Sequence, residues 1–120
     1  MQLQLLKSKL HMATVTAADL HYHGSVGISG DLMEAVGLRP YEKVLIGNCS
    51  TGQRGETYVI RKECGTGEIQ MNGAMARLAS HGDRLIILAF AAMTPEEADE
   101  HRPKVAVLDT ENRVVEQWEG

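Results

Sequence analysis

The run "ADLHYHGS", Ala18 to Ser25, ends in a glycine-serine pair directly after His21-Tyr22-His23. A serine hydroxyl lies next to the carbonyl of the residue before it, and in a suitably bent peptide it attacks that carbonyl. The chain then shifts from nitrogen to oxygen and an ester results. Gly24 has no Cβ to block the approach and tolerates strained backbone angles. Such a shift needs donors for the developing oxyanion, and "HYHGS" is rich in polar groups. Elimination from the ester leaves dehydroalanine, and hydrolysis of that leaves a pyruvoyl group on a new N-terminus. A Gly-Ser pair alone is also an ordinary turn or bulge, so the chemistry depends on its company. His21 and His23 have an i, i+2 spacing that suits a metal on a strand face, but no third ligand stands at a telling distance, and no metal site is expected.

Further along, Lys9 and Arg54 are the cations suited to a carboxylate, Arg54 through a two-pronged guanidinium and Lys9 as a point charge. Arg54 reads as a turn residue before "ETY". Asn72-Gly73-Ala74 precedes a short helical turn, where backbone N–H groups cradle an anion and Gly73 allows close approach.

The elements that must hold these groups are mostly strands. Period-two alternation marks one or two strands up to Val15, then "SVGIS", "KVLIGNC", "ETYVIRKE", "RLIILAFAAM", "KVAVLD" and "RVVEQW", each bounded by turn residues. "STGQRG" and "DTEN" read as hairpin connections. "SGDLMEAVGL" reads as a helix capped by Ser29 or Asp31 and stopped at Gly37. "TPEEADEHRP" reads as a helix with Thr94 as cap, Pro95 at the first position and Glu97 completing a capping box. Many short strands with few helices predict a closed, mainly β barrel. The 120 residues predict one domain, 1–120. Aromatics are only 4% of the chain, so the core should be aliphatic.

A formal charge of −4 argues against nucleic-acid or polybasic membrane binding. Cys49 and Cys64 form no CxxC pair and read as reduced structural thiols of a cytoplasmic protein. The first residues, "MQLQLLKSKL", lack the charged-then-apolar order of a signal peptide, and no run approaches the ~18 apolar residues of a spanning helix.

Four stretches together are more specific than any one: "KSKLH" (Lys7 to His11), "VTAADLHYHGS" (Val15 to Ser25), "TGQRGETYVI" (Thr51 to Ile60) and "NGAMARLASHGDRLIILAF" (Asn72 to Phe90). With the tail "TPEEADEHRPKVAVLD", the chain resembles the pyruvoyl-dependent aspartate 1-decarboxylases over nearly its whole length. The resemblance implies a double-psi β-barrel, a homotetramer with active sites at subunit boundaries, and self-cleavage into a β chain, 1–24, and an α chain, 25–120. It implies a covalent pyruvoyl cofactor derived from Ser25, which takes the amine of L-aspartate and accepts the electron pair left by CO2. β-Alanine for pantothenate synthesis is the implied product. A maturation factor is a further partner that some relatives use.

Residue by residue, Tyr58 matches the proton donor; a phenol with an ordinary pKa of about 10 is protonated at neutral pH. Thr57 matches the hydroxyl that bonds the Gly24 carbonyl during cleavage and also lies in the substrate site. Asn72 matches a cleavage-geometry role, Gly73, Ala74 and Met75 match substrate contacts with Lys9 and Arg54, and His11 matches a supporting histidine. On a regular strand Thr57 and Tyr58 point to opposite faces, which a bend or a subunit boundary would resolve. The chain departs from the family at Gly47, where some members carry tryptophan, and at Met75, where a smaller alanine is common. Two rivals remain: a non-catalytic barrel with an intact chain, and a self-cleaving hydrolase that keeps a free amine on Ser25.

Overall fold

Alternating apolar residues fold into strands that bury one face. The computed structural model describes residues 1–120. In order the elements are β1 (Leu3–Thr14), β2 (Ala17–Asp19), β3 (Ser25–Ser29), α1 (Gly30–Val36), β4 (Lys43–Asn48), β5 (Arg54–Lys62), β6 (Ile69–Asn72), a 3-10 turn (Gly73–Arg77), β7 (Arg84–Met93), α2 (Pro95–Glu100), β8 (Lys104–Leu108) and β9 (Val114–Glu119). No helix is long and apolar enough to cross a membrane.

The strands lie in the order β2-β6-β3-β5-β4-β7-β1-β8-β9. Thr16, just past β1, closes this ladder on itself. Its N–H donates to Ile69 O at 2.8 Å, and its hydroxyl oxygen accepts from Ile69 N at 3.0 Å. β1 thereby meets β6, and six strands form a ring, which leaves few free edges. β3 and β5 run parallel, and the β3–β6, β4–β5, β4–β7 and β1–β7 ladders are antiparallel, so β1 and β6 meet at the closure pointing the same way. The fold is mainly β, with the double-psi barrel architecture that the sequence implied.

Inside the ring, Leu10, Val26, Ile28, Ile46, Val59, Met71, Leu85 and Ile87 belong to one cluster of 21 buried residues. The core is aliphatic, and Tyr22, Tyr41, Tyr58, Phe90 and Trp118, all five aromatics of the chain, are exposed. α1 closes one end through Leu32, Met33 and Val36. Gly37, at φ 75°, ends it in the left-handed conformation that glycine adopts freely. Ser8 Oγ to Val36 O and Lys7 Nζ to Gly37 O, both 2.6 Å, tie down that end.

β1 is one strand with two register shifts, at Leu6/Ser8 and His11/Ala13. Met12 sits at the second with φ 65°, a strained angle for a side-chain-bearing residue. Arg84 secures it, with Nε and Nη2 donating to Met12 O at 3.0 and 2.8 Å and Nη2 also to Leu108 O at 3.0 Å.

The α2 capping box is present as expected, but Ser29 makes no side-chain cap on α1. Its hydroxyl donates to the Asp31 carboxylate instead. β2 and β6 had no counterpart in the alternation. His21 and His23 lie in a turn rather than on a strand face, because β2 ends at Asp19. Arg54 is the first residue of β5, paired with Gly47, rather than a turn residue. Both cysteines are free and exposed, so neither fills the core.

Candidate active site

Two groups of residues emerge, on different strands of the barrel wall. The first surrounds Gly24 and Ser25. Gly24 ends an exposed loop, and Ser25 begins β3 at 1% exposure. β3 pairs antiparallel with β6 so that Ser25 faces Asn72. Asn72 Nδ2 donates to Ser25 Oγ at 3.1 Å, and Ser25 Oγ donates to His23 O at 3.1 Å. The hydroxyl is therefore held from both sides in a site that excludes water. Asn72 is fully buried and its Oδ1 has no partner, so the site retains one unused acceptor.

Gly73 follows at φ +63°, and a Cβ there would lie 2.7 Å from Gly24 Cα and 2.8 Å from Gly24 N. Only glycine permits the 3-10 turn to approach the loop this closely. Ala74 is exposed, whereas the Met75 side chain turns inward among the core residues against Gly55.

β5 supplies the other neighbour. Val26 pairs with Val59 in parallel register, and the same register carried two residues back sets Gly24 level with Thr57. Thr57 is half-buried on the face of buried Val59, while Tyr58 is exposed on the other. The opposite orientation expected from alternation holds.

Lys9, His11, Arg54 and Tyr58 form the second group, on the outer face of β1-β7-β4-β5. His11, Ile86, Gly47 and Arg54 occupy one row across the four strands, and Lys9, Leu88, Leu45 and Glu56 the next. Three strand spacings, about 14 Å, separate the ends of a row. Gly47 and Arg54 line a groove of about 240 Å³ with Leu45, Cys49 and Ile86. A Cβ on Gly47 would touch nothing, so this groove is open where a larger residue would fill it. Tyr58 lies 6.4 Å from Tyr41, ring to ring. Burial, then the charges of Lys9 and Arg84, hold His11 below the ordinary histidine range. Its Nδ1 is buried without a partner.

One chain therefore brings together Gly24, Ser25, Asn72 and Gly73, sets Thr57 level with Gly24 and Tyr58 level with Ser25 across the β3–β5 ladder, and holds Lys9, His11 and Arg54 farther off. Sequence reasoning missed Arg84, which reads as a solvated charge at a strand start and becomes structural only through the Met12 bulge.

The family model for aspartate decarboxylase matches residues 1–115. The chain belongs to the aspartate decarboxylase family. It is 52% identical over 113 residues to an aspartate 1-decarboxylase of Chloroherpeton thalassium, covering 94% of this chain and 83% of that one. It is 50% identical over 113 residues to that of Desulfotalea psychrophila (94% and 95% covered). The aspartate 1-decarboxylase of Clostridium acetobutylicum is 51% identical over 114 residues (95% and 90%). The aspartate decarboxylase match includes both groups of site residues.

Proposed function

We propose that this chain is a precursor that cuts itself between Gly24 and Ser25 and then decarboxylates L-aspartate to β-alanine and CO2. Its family decarboxylates aspartate. The observation that carries the self-cleavage reading is the buried Ser25 hydroxyl, held between Asn72 and the His23 carbonyl beside a glycine peptide.

In this reading Ser25 Oγ bonds to the Gly24 carbonyl carbon, the Gly24–Ser25 C–N bond breaks, and the nitrogen takes up the hydroxyl proton. Thr57, level with Gly24, serves the carbonyl oxygen as it gains charge. Elimination removes the Ser25 α-proton and releases the Gly24 carboxylate. Water then replaces the nitrogen, which leaves as ammonia, and residue 25 ends as a pyruvoyl group. The fragments are 1–24 and 25–120.

That keto group supplies the electron sink for loss of the aspartate α-carboxylate. This chain's own residues bind and protonate. Arg54 and Lys9 hold the carboxylate that stays, the backbone of Gly73, Ala74 and Met75 lines the near side, and Tyr58 delivers the proton. His11, next to Lys9 on the same face of β1, plays a supporting part. Tyr58 stands level with its own Ser25, because both alternate with the inward pair Val26 and Val59. Lys9 lies strands away on β1 and Arg54 four residues back along β5, so a neighbouring subunit's Lys9 and Arg54 complete each site in a homotetramer. Exposure of all five aromatics supports such a boundary, since aromatic side chains concentrate at interfaces. A cytoplasmic role supplying β-alanine for pantothenate synthesis follows, with or without a maturation factor.

Intact mass spectrometry beside CO2 release from aspartate tests the proposal. Two fragments are expected, the larger lighter by one ammonia than a serine-started chain. Ser25→Ala should stay whole and inactive. Decarboxylation by that variant would overturn the proposal, and a free serine amine on the larger fragment would favour the hydrolase instead.

A further inference from the structure

The loop before the scissile bond, residues 20–24, is exposed throughout. Its first turn bonds back to the end of β2: Tyr22 N to Asp19 O at 3.3 Å and His21 N to Asp19 Oδ1 at 3.0 Å. Neither bond holds the Tyr22 or His23 side chain. A charged side chain from β5 reaches Tyr22. Lys62 Nζ lies 5.7 Å from the centroid of the Tyr22 ring, within the distance at which an ammonium is attracted to an aromatic face.

Lys62 pairs with Ser29 at the far end of β3, so its stem must run back along that strand to reach Tyr22. Gly27 makes the path. A Cβ on Gly27 would stand 2.8 Å from Lys62 Cε and 3.2 Å from Lys62 Cγ. The absence of a side chain at Gly27 leaves the track in which the lysine stem lies. Beyond Tyr22 the contacts continue toward the reacting group. The Tyr22 ring meets His23 edge-on at 5.8 Å, and His23 O is the acceptor that orients the Ser25 hydroxyl.

We propose that Lys62, seated in the track left by Gly27, is a positioning residue for self-cleavage: it holds Tyr22 and His23 so that the His23 carbonyl orients the Ser25 hydroxyl. This rests on the self-cleavage reading above. Lys62 touches no reacting atom, and its service ends when the Gly24–Ser25 bond breaks.

The test follows the fraction of uncut full-length chain over time, by intact mass, from freshly purified precursor. An exposed cation–aromatic contact corresponds to about a 2- to 5-fold change in rate. Lys62→Met, which keeps the stem and loses the charge, should slow cleavage by that factor. Lys62→Arg should restore it. Gly27→Ala should slow cleavage comparably by displacing the stem, yet add nothing in a Lys62→Ala background. Turnover per pyruvoyl-bearing chain should be unchanged in Lys62→Met. Wild-type cleavage rates in Lys62→Met, or Arg no better than Met, would overturn the positioning role. A wild-type precursor that never cleaves would instead overturn the self-cleavage reading, and the control sample reports it.

Discussion

Thr57 and Tyr58 are neighbours in sequence, but the pleat of β5 sends them to different compartments. Thr57 is half-buried on the inner side, level with Gly24 when the β3–β5 register is extended, and Tyr58 is exposed on the outer. The two should therefore fail differently. On the proposed role of its hydroxyl, Thr57→Val should let uncut precursor accumulate, visible as a single band on a denaturing gel. Tyr58→Phe should mature normally and then turn over about 10²- to 10⁴-fold more slowly, the usual worth of general acid help. A fully cut Tyr58→Phe sample with wild-type kcat would remove the phenol from the mechanism.

Elements are held in place by a few polar clamps. Arg84 satisfies the Met12 and Leu108 carbonyls at the β1 bulge. Arg84→Met leaves those acceptors without their donor, so stability should fall by about 1–3 kcal/mol in a urea titration. Asp83 works similarly on the segment after the 3-10 turn, accepting from Ser80 N and from Asn48 Nδ2, both at 3.0 Å. The Ser80 N–H first, and then Asn48, hold the Asp83 carboxyl below its ordinary range. A depressed carboxylate stabilises the fold above its unfolded pKa and stops doing so as pH falls through the folded value. Urea midpoints should therefore decline below about pH 4, and Asp83→Asn should flatten that decline. An unchanged acid slope in Asp83→Asn would contradict this.

At the scale of the molecule, the distribution of apolar surface is unusual. The interior is aliphatic, and every aromatic ring faces out. Leu45, Leu88 and Phe90 line a groove of about 510 Å³ with Gln4, Lys43 and Glu56 on the outer sheet face. The same face carries Lys9, Arg54 and Tyr58. If a neighbouring subunit covers it, Phe90→Glu should sediment as a smaller species and lose decarboxylation while keeping its far-ultraviolet circular dichroism. A Phe90→Glu protein that stays tetrameric and active would place the boundary elsewhere.

Much of this was legible in the residues. Alternation located the long strands because each buries one face, and Thr94, Pro95 and Glu97 specified α2 through bonds made within three residues. The four stretches around His11, Gly24, Tyr58 and Asn72 carried the family likeness. β2 and β6 were not legible, since "AAD" and "IQMN" are too short to display a period. They are strands because β6 lies between β2 and β3. Likewise nothing local joins Asn72 to Ser25, 47 positions apart, or sends the Lys62 stem along Gly27. Sequence alone determined which segments extend, which turn, and what chemistry each side chain carries, because those are properties of near neighbours along the chain. Ring closure at Thr16 and Ile69 decided which of them meet, because pairing between distant strands depends on the whole barrel shutting around its core.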